Sequence, residues 1–152
     1  MKSVQDFDPA ALIEVRERAG LSQADLAHAA GAGANSIGRW ERGKGAPSPR
    51  LFASLAEALN VPPSRLLRPL REDADLASLR TRVGLRQEDV AERLGVQASD
   101  VSELELGTGK MRAQWAGVLQ ELFDVSLEDL TRALRNTEAQ WRERFEAKRG
   151  SV

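Results

Sequence analysis

The chain has 152 residues, 30% of them charged and 41% hydrophobic, with no cysteine and a formal net charge of −1. The lack of cysteine excludes disulfides, thiol catalysis and thiolate metal sites, and it is typical of proteins from a reducing cytosol. Leu, Ala, Glu and Arg dominate while β-branched residues are sparse, which predicts an all-α protein. Because the N-terminus lacks a signal-peptide pattern and no apolar run could span a bilayer, we expect a cytoplasmic protein.

Charge is distributed unevenly along the chain. Residues 1–70 carry nine Lys/Arg and seven Asp/Glu, a net charge of +2. Residues 71–131 carry seven Lys/Arg and thirteen Asp/Glu, a net charge of −6. Residues 132–152 carry six Lys/Arg and three Asp/Glu, a net charge of +3. We therefore expect a polyanion such as DNA to be tolerated by the first and last segments and repelled by the middle one.

Two helices are predicted at the start of the chain. Asp8-Pro9 combines an N-cap carboxylate with proline at the first helical position, and this helix is expected to end at Gly20. Ser22 is expected to cap a second helix, which Gly31 closes with a left-handed turn that only glycine adopts cheaply.

Two further helices follow. The third is predicted to begin near Gly33 or Ala34, to bury Ile37 and Trp40, and to stop at Gly43. Ser48-Pro49 repeats the cap-and-proline pattern and starts the fourth.

The second half of the chain repeats the first with a constant offset of 64 residues and no gap. Leu21–Gly43, LSQADLAHAAGAGANSIGRWERG, corresponds to Leu85–Gly107, LRQEDVAERLGVQASDVSELELG. Two unrelated amphipathic segments would not keep their glycines aligned, so we interpret this as an internal repeat. Repeat 1 is defined as residues 8–68 and repeat 2 as residues 74–131.

Residues 132–149 are predicted to form a C-terminal amphipathic helical extension with an apolar stripe that includes Leu134, Trp141 and Phe145. Because Thr137 begins a second capping pattern, we expect the helix to break near Asn136. The stripe either packs on repeat 2 or forms a dimer interface, and both alternatives stay open.

Residues Leu21–Gly43 resemble the helix-turn-helix of Cro/C1-type (phage-repressor-like, XRE family) DNA-binding domains. The matching features are Leu21-Ser22-Gln23, Leu26-Ala27, Gly31, Ile37 and Trp40-Glu41-Arg42-Gly43. The resemblance covers residues 10–67 and extends to 74–130 with a weaker match at the surface. It implies two tandem five-helix repressor-like domains followed by the C-terminal helix.

The resemblance also implies a role for individual residues. Structural ion pairs are expected between Arg16 and Glu41 and, in repeat 2, between Arg80 and Glu105. The third helix would be the recognition helix in the major groove. The base-reading positions are Ala34, Asn35, Ser36 and Arg39, and the phosphate-binding positions are Ser22, Gln23, Arg42, Lys44 and Arg50.

Repeat 2 lacks the residues that would suit DNA. Its base-reading positions hold Ala98, Ser99, Asp100 and Glu103, and the positions of Arg42 and Lys44 hold Leu106 and Thr108. Since this face has no cation to offset phosphate repulsion, repeat 2 is predicted to have kept the fold and lost DNA binding. A dimerisation or partner-binding role is open to it.

The leading hypothesis is a sequence-specific DNA-binding transcriptional regulator, repressor-like and dimeric, whose partners are double-stranded DNA and a second copy. The alternative is an antitoxin-like or adaptor protein whose acidic repeat 2 binds a basic partner. A pseudo-dimer that uses both repeats on one operator is a third. An enzyme is not expected, and neither a cofactor nor a metal, because the one histidine, His28, has no partner residues for catalysis or metal binding.

Overall fold

The computed structural model of the chain describes residues 3–150. Within these residues the chain forms nine α-helices: α1 (Pro9–Arg18), α2 (Gln23–Ala30), α3 (Ser36–Glu41), α4 (Pro49–Leu59), α5 (Leu76–Arg82), α6 (Gln87–Leu94), α7 (Ala98–Leu106), α8 (Ala116–Phe123) and α9 (Leu127–Gly150). Short 3-10 helices lie at Pro63–Leu66 and Ala113–Trp115. The all-α class predicted from composition is confirmed.

The helices form two compact units. The first comprises the residues up to Pro69 together with Arg82–Gly84, and the second comprises Leu70–Thr81 and the residues from Leu85 onward.

The first unit is built by helices that begin where local side chains cap them. Asp8 Oδ1 accepts hydrogen bonds from the amides of Ala10 and Ala11, at 3.1 and 3.4 Å. Ser22 Oγ and the Asp25 carboxylate form a reciprocal capping box at the start of α2. Ser48 caps α4, where Pro49 takes the first helical position. These caps confirm the three helix starts predicted from the sequence.

The core of the first unit gathers one apolar face from each helix. Leu12, Leu26, Ile37 and Leu55 are all 0% exposed. The segment before α1 also contributes, because Phe7 is buried and packs edge-on against Phe52, with ring centroids 6.5 Å apart. No pattern in the sequence predicts that this segment contributes to the core.

The turn between α2 and α3 depends on Gly31, whose φ of 69° lies in the left-handed region. Its counterpart in repeat 2 is Gly95, with a φ of 70°. Residues with a side chain rarely adopt this backbone conformation, which explains why both repeats have glycine at this position.

The second unit follows the same plan, and α6 matches α2 residue for residue at the offset of 64. The repeats diverge where repeat 1 ends. Repeat 1 forms only the 3-10 turn Pro63–Leu66 at this position, whereas in repeat 2 Ser126 Oγ accepts the Asp129 amide at 3.1 Å at the start of the 24-residue helix α9.

The predicted break in the C-terminal helix is wrong, because α9 continues from Leu127 to Gly150. The residue that suggested a break has a tertiary role. Asn136 Nδ2 donates to the carbonyl oxygens of Glu72 and Ala74, both at 2.9 Å. Thr137 is 2% exposed, and its Oγ1 accepts the Leu76 amide at 2.9 Å while donating to Ala133 O. Both polar side chains therefore fix α9 within the second unit.

Candidate nucleic-acid interface

An ion pair sets the position of α3 in repeat 1. Arg16 Nε donates to Glu41 Oε2 at 2.6 Å, and Arg16 Nη2 donates to Glu41 Oε1 at 3.0 Å. The two side chains are 12% and 6% exposed. Burial acts to raise the pKa of Glu41, but the hydrogen bonds from Arg16 and Gln23 outweigh it and hold that pKa below its usual range. The pair joins α1 to α3, as the sequence predicted for these two residues.

Repeat 2 contains the same arrangement. Arg80 donates to Glu105 through Nε at 2.6 Å and through Nη2 at 2.9 Å. Arg80 Nη1 also donates to Leu85 O at 3.0 Å, as Arg16 Nη1 does to Leu21 O. The two helix-turn-helix frames are thus held by the same contacts.

Gln23, predicted to bind phosphate, contacts this ion pair. Its Nε2 donates to Glu41 Oε1 at 3.0 Å, and Gln87 makes the same bond to Glu105 at 3.0 Å. Sequence reasoning missed this contact. A signal was present, since Gln is retained in repeat 2 although the rest of the DNA-facing surface is not.

The predicted start of α3, near Gly33 or Ala34, is wrong by two or three residues. The helix begins at Ser36, and Ala34 and Asn35 lie in the turn that precedes it. Asn35 occupies the cap position but makes no side-chain capping bond, whereas Asp100 in repeat 2 accepts the Gln97 amide at 2.9 Å. Because Ser36 stands in place of that aspartate, the first turn of α3 lacks this stabilisation.

Of the four predicted base-reading residues, two precede α3 and two, Ser36 and Arg39, lie on it. Ala34, Asn35 and Arg39 are exposed and Ser36 is half-buried, while Ile37 and Trp40 face the core. Gly38 lies close to α2, since a Cβ there would be 3.3 Å from Gln23 Oε1. This contact also escaped the sequence analysis.

Cationic side chains lie on α3, in the loop that follows it and at the start of α4. Arg39, Arg42, Lys44 and Arg50 are all exposed. Arg39 Nη2 donates to Lys44 O at 3.4 Å, so its guanidinium lies towards the loop. Arg50 is in the first turn of α4. Ser22, also predicted to bind phosphate, is the N-cap of α2, and its Oγ accepts the Asp25 amide at 3.0 Å.

The equivalent surface of repeat 2 is acidic. Asp100 and Glu103 are exposed on α7, and Glu88 and Glu92 are exposed on α6. Leu106, at the position of Arg42, is 51% exposed. The position of Arg39 therefore carries the opposite charge in repeat 2, and the position of Arg42 carries no charge there.

The predicted tail stripe lies on α9. Leu134 and Trp141 are half-buried within the second unit, while Phe145 is 47% exposed. A Cβ at Gly107 would be 2.8 Å from Trp141 Cβ, so α9 lies directly against the end of α7.

Residues 3–150 contain no cluster of three or more His, Cys, Asp or Glu side chains that could hold a metal ion. His28 is exposed on α2. No helix in this range is long and apolar enough to cross a membrane.

Comparison with protein families identifies the class. Residues 12–66 match a family model described as helix-turn-helix, and residues 64–134 match a second described as helix-turn-helix domain. No curated protein and no solved structure matches the chain. The chain is a tandem helix-turn-helix protein of the Cro/C1 type, which confirms the resemblance seen in the sequence. Its class is that of DNA-binding regulators.

Proposed function

We propose that the chain is a transcriptional regulator that recognises a specific duplex sequence with repeat 1, and that α3 enters the major groove. The observation that carries this proposal is the contrast between the repeats. They share the same ion-paired frame, but the exposed positions that hold Arg39, Arg42 and Lys44 in repeat 1 hold an acidic, an apolar and a neutral polar residue in repeat 2. The residues that both repeats retain are those needed for folding. The exposed residues that differ between the repeats are therefore the candidates for binding.

In this proposal the exposed end of α3 reads base edges. Asn35 is suited to a bidentate contact with adenine and Arg39 to one with guanine. The methyl group of Ala34 can meet a thymine methyl, and Ser36 can bond to several bases. The bond from Arg39 to Lys44 O is long at 3.4 Å and is easily exchanged for one to DNA.

The surrounding cations and caps hold the phosphate backbone. Arg42, Lys44 and Arg50 supply positive charge, and Ser22 lies at the N-terminus of α2, where helix amides attract anions. Gln23 is the exception among the predicted phosphate contacts. Because its amide donates to Glu41, we assign it the positioning of α2 on α3.

Recognition by a homodimer completes the proposal. One small module contacts few base pairs, so tight binding by such domains normally uses two copies on a palindromic site. Repeat 2, whose acidic face would be repelled by phosphates, stays off the DNA and leaves its surface for protein contacts.

The proposal is tested by selecting binding sites from a pool of random duplexes with the full-length chain. We expect enrichment of a short palindromic motif that survives competition with unrelated DNA. Recovery of the input distribution at physiological salt would overturn the proposal, since non-specific phosphate binding would then account for all affinity.

The acidic face of repeat 2 favours a second candidate, an antitoxin-like or adaptor protein that binds a basic partner. Glu88, Glu92 and Glu103 are exposed on that face. Affinity purification with the full chain and with a Glu88→Lys/Glu92→Lys variant discriminates the two functions. A stoichiometric partner that the variant loses, together with no selective DNA binding, would favour this candidate.

A further inference from the structure

The outer face of α9 bears two of the three large apolar side chains that residues 3–150 leave exposed. Leu127 is 56% exposed at its start and Phe145 is 47% exposed near its end. They are separated by five full helical turns, so both point in the same direction, about 27 Å apart. The buried residues of α9, Leu130, Ala133 and Thr137, lie on another side of the helix.

Phe145 is held in place at the surface. Its ring stacks on Trp141, with centroids 5.2 Å apart and an interplanar angle of 15°. The Arg149 guanidinium lies 5.8 Å from the centroid of the same ring. An exposed aromatic ring whose neighbours already fix it can receive a partner at a lower entropic cost than a mobile one.

Charges alternate between these two apolar ends. Glu128, Arg135, Glu138 and Arg142 are all exposed on the outer face, in the order acid, base, acid, base. Glu138 and Arg142 form an exposed ion pair at 3.1 Å, while Glu128 is in the first turn of the helix.

We propose that this face of α9 pairs with the same face of a second copy of the chain in an antiparallel arrangement. A twofold axis near residue 136 places Leu127 opposite Phe145 of the second copy. It also places Glu128 opposite Arg142, and Arg135 opposite Glu138. All three pairings are centred within about one residue of the same point, so a single axis satisfies them together and produces each contact twice.

The charges determine the orientation of this pair. A parallel arrangement would place Glu128 against Glu128 and Arg142 against Arg142, and like charges would oppose it. Exposed ion pairs contribute little each, so the apolar ends supply most of the affinity and the charges select the antiparallel form. The pairing stops at a dimer, because each copy uses the same patch and no equivalent patch is left free for a third copy.

This inference deepens the proposed function, on which it rests, by naming the surface that joins the two copies on DNA.

The test is the molar mass of the full-length chain in solution, without DNA, across a concentration series. The wild-type chain is expected to form a dimer of twice 16.6 kDa. Glu128→Lys faces Arg142 with a like charge and is expected to raise the dimer dissociation constant about tenfold. Adding Arg142→Glu restores opposite charges, so the double variant is expected to return to within about threefold of wild type.

Glu143→Lys is the matched control. It makes the same change of charge on the same helix at an exposed position nearly half a turn from Phe145, and it is expected to leave the dissociation constant unchanged. Leu127→Asp and Phe145→Asp are each expected to yield monomer. Circular dichroism is the check that every variant retains its helices.

A monomeric wild-type chain at the highest accessible concentration would overturn the inference, as would a folded double variant that stays as weak as Glu128→Lys. Failure of the dimer with selective DNA binding intact would refute only the α9 pairing. If the dimer dissociation constants of the variants change as expected but the chain shows no selective DNA binding, only the proposed function would be refuted.

Discussion

Arg16 and Glu41 lie on α1 and α3 and are joined by two hydrogen bonds, of 2.6 and 3.0 Å. In repeat 2, Arg80 and Glu105 are joined by two bonds of 2.6 and 2.9 Å. The pair therefore belongs to the frame that both repeats need. It is independent of the charge on the surface that differs between them.

Arg16→Ala is expected to destabilise the first unit by about 3 kcal/mol, because it leaves the carboxylate of Glu41 buried without its partner. Hydrogen exchange followed by mass spectrometry measures each unit separately, and faster exchange should be confined to peptides of the first unit. Arg18→Ala is the control, since Arg18 and Glu14 form an exposed pair with side chains 73% and 51% exposed. That variant should lose less than about 1 kcal/mol. Equal effects of the two variants would contradict a structural role for Arg16.

The same pair predicts how stability depends on pH. The pKa of Glu41 is held below its usual range in the folded state, mainly by hydrogen bonds that outweigh its burial. Its contribution to stability is therefore present above the unfolded value of about 4.3 and is lost as pH falls through the lower folded value. Urea unfolding of the first unit between about pH 6 and pH 3 should show a smaller pH dependence in Glu41→Gln than in wild type. Parallel pH profiles would show that Glu41 titrates normally.

Arg39→Ala tests the proposed recognition of a base. We expect DNA affinity to fall by about 1–3 kcal/mol and preference to relax at one base pair of the selected site. Glu103→Ala is the matched control, because Glu103 occupies the same position in repeat 2 and should hardly affect DNA binding. Uniform weakening across all sequences would instead make Arg39 a phosphate contact. A large effect of Glu103→Ala would favour the pseudo-dimer that uses both repeats.

Lys44→Ala tests the proposed contact with phosphate. Affinity is expected to weaken for all sequences alike, and the slope of log affinity against log salt should decrease by about 1 per subunit. The measurement is a titration of the selected duplex and of an unrelated one over a salt series. Lys110→Ala, which removes an exposed lysine from repeat 2, should leave both slopes unchanged.

Local chemistry explains what the sequence could predict. Ser22 and Ser48 cap helices through bonds to amides three residues away, so their pattern is visible in the chain itself. Gln23 differs, because its amide reaches Glu41, 18 residues away, and only the packing of α2 on α3 defines that contact. The contacts of Asn136 are likewise defined only by tertiary packing. Its polar side chain favours a helix end, but two carbonyl groups more than 60 residues earlier accept its hydrogen bonds and the helix continues.

Thr137→Val tests whether α9 is fixed within the second unit by the hydrogen bond that Thr137 accepts from the Leu76 amide. Valine has nearly the same shape but cannot accept that bond, so the amide at the start of α5 is left buried and unpaired. We expect the second unit to lose about 1–3 kcal/mol, measured by hydrogen exchange in peptides that contain Leu76.

Thr131→Val is the control on the same helix. Thr131 Oγ1 donates to Leu127 O at 2.8 Å, as Thr137 Oγ1 does to Ala133 O at 2.9 Å. Since its bond is exposed, the change should cost less than about 0.5 kcal/mol. If the two variants were equally stable, the hydroxyl of Thr137 would serve only its own helix, and apolar packing at Leu130 and Ala133 would hold α9 in place.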